Sequence, residues 1–139
     1  MQFIDLKTRH NLIEDNINAR IQNVMDHSQF ILGPEVRELE DKLAEYTGSK
    51  HCVTVSSGTD SLLIALMALG VGPGDEVITV PYTWISSAEV IALTGATPVF
   101  VDIREDTLNI DETQLESAIN ERTKAIMPVS IYGQTAEME

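Results

Sequence analysis

The chain has 139 residues, 43% of them apolar and 22% charged, with 8 glycines and 5 prolines; this is the make-up of one ordinary globular domain and excludes disordered or collagen-like chains. Its 22 acidic residues against 9 basic ones leave a net charge of -13, and the basic residues do not cluster, so neither nucleic acid nor an anionic membrane surface is an expected partner. Cys52 is the single cysteine, which rules out an internal disulfide and a multi-thiolate zinc site.

From Thr8 to His27, Leu12, Ile13, Ile17, Ile21, Val24 and Met25 recur at helical spacing, with Glu14, Asp15, Asn18, Arg20 and Gln22 around the other face. That is an amphipathic helix. After Phe30-Ile31-Leu32-Gly33, Pro34 stands where a first-turn proline is tolerated, and Val36, Leu39, Leu43 and Tyr46 form a second stripe that Gly48 ends. The period then changes. Runs rich in Val, Ile and Thr at His51–Val55, Glu76–Val80, Thr97–Asp102 and Lys124–Ile131 read as strands. Between them lie helical stretches at Thr59–Leu69, Ser86–Thr94 and Glu112–Arg122, the last capped by Asp111. Strands alternating with helices imply an α/β fold with a parallel sheet covered on both faces. No repeat, low-complexity tract or linker marks a second domain. No apolar run approaches the ~20 residues that span a bilayer, and the amino terminus lacks a basic segment followed by an apolar one, so a cytoplasmic chain is expected.

Ser56-Ser57-Gly58-Thr59-Asp60-Ser61-Leu62 follows the first predicted strand and opens a helix, the place where α/β sheets bind ligands. Gly58 would let a ligand approach the backbone, and the N–H groups of Thr59, Asp60 and Ser61 would face an anion, reinforced by the helix dipole. The competing reading is that Ser57 or Thr59 only caps the helix and Gly58 only turns the chain. Gly70-Val71-Gly72-Pro73-Gly74-Asp75 superficially suggests a dinucleotide fingerprint, but it follows a helix and precedes a strand. That is the reverse of the required context, and it reads as a rigid turn. Pro81-Tyr82-Thr83-Trp84 ends the second predicted strand on the same sheet edge, where Trp84 either stacks on a planar ligand or starts the next helix as a core residue. Asp102 ends the third as a cap, turn former or site residue. Ser130-Ile131-Tyr132-Gly133-Gln134 ends the fourth and brings further polar groups to the same edge.

Other chemistries lack their residues. There is no Gly-x-Ser-x-Gly elbow, no Walker loop and no His-Glu-x-x-His pair, and His10, His27 and His51 have no ligand-like spacing, so no metal site is expected. Cys52 lies within a predicted strand, where a structural thiol is the ordinary occupant.

Taken in order, the segments Phe30–Val36, Ser57–Leu62, Gly72–Ile78, Pro81–Trp84, Pro98–Asp102 and Val129–Gln134 closely resemble the amino-terminal part of the DegT/DnrJ/EryC1/StrS sugar aminotransferases. The resemblance implies a partial large domain of the fold-type-I, pyridoxal 5′-phosphate-dependent transferases, a three-layer α/β/α arrangement spanning residues 1–139. It implies enzymes that are usually homodimers and that aminate keto-sugars attached to nucleotides, with glutamate as the usual amino donor. The nearest branch acts on UDP-linked 3-keto N-acetylhexosamine uronic acids for surface polysaccharides. Carried onto this chain, it makes Gly58, Thr59 and Asp60 the cradle of the cofactor phosphate and Trp84 the ring stacked on the pyridine. Gly33, Pro34, Tyr82 and Gln134 would lie towards the substrate. A helix end could then bind a dianion despite the net charge of -13, because distributed surface charges are screened beyond ~10 Å.

The family's enzymes are much longer, and their Schiff-base lysine and the aspartate facing the pyridine nitrogen come later in the chain. Lys7, Lys42, Lys50 and Lys124 do not stand in the matching context, so no catalytic residue is assigned here and the chain alone is expected to be inactive. Two alternatives stand beside transamination: a sugar dehydratase of the same family, with histidine in place of that lysine, and a non-catalytic fragment that binds a phosphate or a partner protein. In the family's sheet, strands encoded later lie between the first strand and the fourth. The strand at His51–Val55 is therefore expected to stand apart from the other three, leaving unpaired edges.

Overall fold

The computed structural model describes residues 4–138 and divides the chain into two compact units, Met1–Thr54 and Val55–Glu139. The sequence carries no linker signal at that boundary, and the expectation of one compact piece gives way to two.

The first unit is helical. Instead of a single helix over Thr8–His27, there are two, α1 (Leu6–Asn11) and α2 (Glu14–His27). Asp5 starts α1 earlier than the apolar periodicity suggests, because its carboxylate accepts the amide of Thr8 at 2.9 Å. At Ile13 the backbone leaves helical geometry (φ -125°, ψ 2°). Helix α3 (Pro34–Thr47) begins at the expected proline and ends at Gly48, whose φ of 70° supplies the left-handed cap. No residue of these three helices is buried. Side-chain pairs tie α2 to α3: Arg20 Nη2 donates to Glu38 Oε1 at 2.7 Å, and His27 Nε2 meets Glu35 Oε1 at 3.0 Å.

The second unit is built on a parallel sheet of three strands, β1 (Glu76–Thr79), β2 (Thr97–Phe100) and β3 (Thr123–Ile126), in the order β2-β1-β3. Four strands were expected. His51–Val55, expected to stand apart from the other three, joins no ladder among the described residues, and it falls almost wholly in the first unit. β1 is the central strand and is buried throughout. Its side chains alternate between two cores, as the pleat requires. Val77 packs with Leu66, Val90 and Ile91 from helices α4 (Gly58–Ala68) and α5 (Ser86–Leu93). Ile78 and Val80 pack with Val101, Ile110 and Ala136, and Leu115 and Ala118 of the short helix α6 (Leu115–Ala118) lie against them. Helices thus lie on both faces of the central strand, as the alternation of strand and helix implied, while Phe100 of β2 and Ile126 of β3 stay exposed.

Each strand is four residues long, shorter than its apolar run. Pro98 is tolerated because β2 is an edge strand, and Pro128 removes the donor that would carry β3 further. The helix expected over Glu112–Arg122 is a 3₁₀ turn at Glu112–Gln114 followed by α6, which stops before Ile119. Asn120 diverts the backbone: its Oδ1 accepts the Arg122 amide at 2.9 Å and its Nδ2 donates to Glu76 Oε2 at 2.7 Å. This is the local competition that disfavours Asn inside helices. Asp111 does cap the 3₁₀ turn, accepting from the Thr113 amide at 3.1 Å. The Gly70–Asp75 segment is the rigid turn expected, and Gly95 packs against it. With φ at 84°, Gly95 occupies the left-handed region, and a Cβ there would come within 2.9 Å of Pro73 Cγ.

Candidate functional site

The carboxyl ends of parallel strands collect loops on one edge of a sheet, and here the loops after β1 and β3 meet. Tyr82 Oη lies 3.0 Å from Tyr132 Oη, a hydrogen bond between residues 50 positions apart. That bond holds the Tyr132 phenol above its ordinary range. Two residues beyond Tyr82, Trp84 is 76% exposed. Trp84 belongs to neither apolar core of this unit. Its ring borders a hollow of about 270 Å³ whose walls include Val80, Ile85, Ala88 and Phe100. Phe100 escaped the sequence reading. The signal available was the parallel register, in which Phe100 faces Thr79 across β1 and β2.

The amino terminus of α4 is shaped by Ser57. Its hydroxyl accepts the Asp60 amide at 3.1 Å and its carbonyl accepts the Ser61 amide at 3.1 Å. The capping reading of Ser57 therefore holds, and it corrects the donor list: the Asp60 and Ser61 amides serve the helix. The amides of Gly58 and Thr59 make no hydrogen bond among the described residues, so these are the donors a ligand can use. Nothing in the structure lies within 4 Å of a Cβ built on Gly58. Glycine is not demanded there by crowding inside the chain, and its bare backbone leaves the approach open. The Asp60 carboxylate is turned to the Ser56 hydroxyl. The α4 amino terminus, on a helix of 11 residues, offers two free amides to an anion, and Trp84 in the same unit offers an exposed indole to a planar group.

The remaining candidates lie elsewhere. Gln134 borders a separate hollow of about 180 Å³ with Arg104, Asn109 and Glu112. Arg104 is already paired there with Asp106 and Glu112 at 3.0 and 2.6 Å, so the single crevice expected for all strand ends is divided. Asp102 is a turn former, its Oδ1 accepting the Ile103 amide at 2.8 Å. Gly33 and Pro34 belong to the first unit, where Pro34 lines a hollow with Leu32, Arg37 and Asp41. Gly33 is buried, and a Cβ on it would collide with the Gln29 carbonyl oxygen. Among the described residues no cluster of His, Cys, Asp and Glu could hold a metal ion, and no helix is long and apolar enough to cross a membrane.

The pattern of the DegT/DnrJ/EryC1/StrS aminotransferase family matches residues 11–139. A UDP-2-acetamido-2-deoxy-3-oxo-D-glucuronate aminotransferase of Pseudomonas aeruginosa is 56% identical over 139 residues, a stretch that covers 100% of this chain and 39% of that protein. Among solved structures, a DegT/DnrJ/EryC1/StrS aminotransferase from Brucella abortus aligns with a TM-score of 0.90 and 45% identity, covering 99% of this chain and 39% of that one. NtdA from Bacillus subtilis, solved with bound cofactor PMP, aligns with a TM-score of 0.85 and 35% identity over 90% of this chain and 28% of its own. The chain therefore spans about two fifths or less of the length of these relatives.

Proposed function

The chain belongs to the DegT/DnrJ/EryC1/StrS aminotransferase family, and from that membership we propose that residues 1–139 are the amino-terminal part of the cofactor-binding large domain of a nucleotide-sugar aminotransferase. The substrate is a UDP-linked 3-keto N-acetylhexosamine uronic acid, aminated for surface polysaccharide, with glutamate as donor and a cytoplasmic homodimer as the working form. One observation carries this reading above others in the family: the 56% identity, across all 139 residues, to a Pseudomonas aeruginosa aminotransferase named for such a sugar.

Pyridoxal phosphate, when bound, supplies the electron sink through which an amino group passes between donor and keto-sugar. The residues of this chain bind and orient it. The Gly58 and Thr59 amides, at the positive end of α4, receive the phosphate. Ser57 keeps those amides presented by closing the first turn beneath them. Trp84 covers one face of the ring and keeps water from it. Asp60 acts through the cap: its amide is Ser57's partner and its carboxylate holds Ser56. Tyr82, Gln134, Gly33 and Pro34 are assigned to the substrate side. Lys7, Lys42, Lys50 and Lys124 are assigned no part in the chemistry.

The test is an assay of a polypeptide of the relatives' full length that carries this chain. Supplied with pyridoxal phosphate, glutamate and the UDP-linked 3-keto uronic acid, it is expected to release 2-oxoglutarate in step with amination of the sugar, while the 139-residue chain alone releases none. Loss of water from the sugar without 2-oxoglutarate would overturn the aminotransferase reading in favour of a dehydratase.

A further inference from the structure

His27 ends α2, and the segment that follows it, Ser28 to Gly33, leads into α3. The imidazole is half-buried and uses both ring nitrogens. Nδ1 lies 3.0 Å from the Gln29 amide, and Nε2 lies 3.0 Å from Glu35 Oε1. An amide nitrogen can only donate, so Nδ1 must carry a lone pair; a carboxylate can only accept, so Nε2 must carry the proton. Both contacts are satisfied together only by the neutral ring with its proton on Nε2.

The segment it holds is under constraint. Ser28 and Leu32 take left-handed backbone angles (φ 58° and 48°), unusual for residues other than glycine. The Ser28 side chain donates to the Met25 carbonyl at 3.2 Å and steadies its own turn. Gln29 is the hub: its amide goes to His27, and its carbonyl oxygen lies so close to Gly33 that no side chain fits there. A displacement of Gln29 is thus passed directly to the Gly33–Pro34 turn.

We propose that neutral His27 is the positioning residue that clasps the Gln29–Gly33 segment, and that protonation of the ring opens the clasp. A proton on Nδ1 sets two donors against each other across the contact with Gln29, and the amide must leave. The other contact responds oppositely, since an imidazolium binds Glu35 more strongly than a neutral ring does. The charged groups around the ring support that asymmetry. Glu35 is held below the usual carboxylate range, chiefly by its bond to His27, and so stays ionised while the imidazole charges. Arg20 lies close enough to contribute but is engaged by Glu38, which also holds Lys42. Asp26, next to His27 on α2, accepts from Gln22. Acid therefore releases the segment while α2 and α3 stay tied. The consequence for the substrate rests on the reading that Gly33 and Pro34 face it.

Amide exchange of the full chain, followed by NMR from about pH 8 down to about pH 5, where imidazoles charge, tests this. The Gln29 protection factor is expected to fall about two- to tenfold, the worth of one hydrogen bond, in step with the His27 ring resonances. His27→Asn, whose Oδ1 can accept the same amide without titrating, should keep the protection across the range, and His27→Phe should lack it throughout. Protection that ignores pH in the native chain, or that still falls with pH in His27→Asn, overturns the clasp. UDP-N-acetylglucosamine serves as the substrate-side probe: its affinity is expected to fall over the same pH range in the native chain and not in His27→Asn. An affinity that ignores pH while the Gln29 amide titrates overturns the substrate-side reading of the turn and leaves the clasp standing.

Discussion

The two units hold themselves together by different means. In Val55–Glu139 a central strand is buried along its whole length, with Val77, Ile78 and Val80 dividing between two apolar cores. In Met1–Thr54 no helical residue is buried, and Leu12, Ile21, Met25, Leu39 and Leu43 are exposed on the stripes that suggested amphipathic helices. There the named ties are polar: Arg20 and Lys42 on Glu38, His27 on Glu35, and the Thr54 amide on Glu40 at 2.8 Å. Burial is largely indifferent to pH and salt, whereas exposed ion pairs are sensitive to both. The sheet unit should therefore behave as a scaffold and the helical unit as the part that conditions can loosen.

The largest effect should come from the core. Ile78→Ala removes a fully buried side chain from β1 and should destabilise the sheet unit by about 2–5 kcal/mol in denaturant unfolding. A cost below about 1 kcal/mol, the level of a surface change, would break the distinction between the units. Next is Gly33→Ala, which forces a methyl group against the Gln29 carbonyl. About 1–3 kcal/mol is expected, as for other overpacked sites, read by the loss of Gln29 amide protection with sheet amides unchanged. Ser57→Ala removes the cap of α4 and should cost about 1 kcal/mol, together with weaker phosphate binding.

The smallest effect at neutral pH, and the most telling in acid, belongs to Glu38. Arg20 and Lys42 lower its carboxyl from the ordinary 4.5 to about 2. A depressed carboxyl contributes stability that is present above the unfolded value and lost as pH falls through the folded one. Helicity of the first unit should then decline between about pH 4.5 and about pH 2. Glu38→Gln should remove that part of the acid transition and change little at pH 7. An identical acid transition in both chains would show that the Glu38 pairs do not hold the helices.

Much of this was legible in the sequence where period and capping agree. Pro34 and Gly48 delimit α3, Asp111 caps its turn, and the Val- and Ile-rich runs at Glu76 and Thr97 are paired strands. What was not legible depended on contacts made at a distance. That His51–Val55 joins no ladder among the described residues was, by contrast, expected from the resemblance, which sets this run apart from the other strands. Asn120 ends a helix that composition would continue, through bonds to Glu76 and Arg122. At the site, the resemblance selected Gly58 and Trp84, and both are open to a ligand. The geometry decided which amides remain free, because Ser57 takes that of Asp60 for the cap. Likewise, composition gave His27 no role; its two partners did.

Trp84 is the single tryptophan of the chain, so its fluorescence reports on the candidate site alone. Pyridoxine 5′-phosphate, which lacks the aldehyde and cannot react with lysines, is the direct probe of the cradle. Saturable quenching by this compound is expected, at least about tenfold weaker for pyridoxine without the phosphate, since hydrogen bonds from the Gly58 and Thr59 amides to a charged group are each worth about 1.5–3 kcal/mol. Equal quenching by the two compounds, or none by either, would contradict the assignment of the α4 amino terminus and Trp84 to a phosphorylated ring.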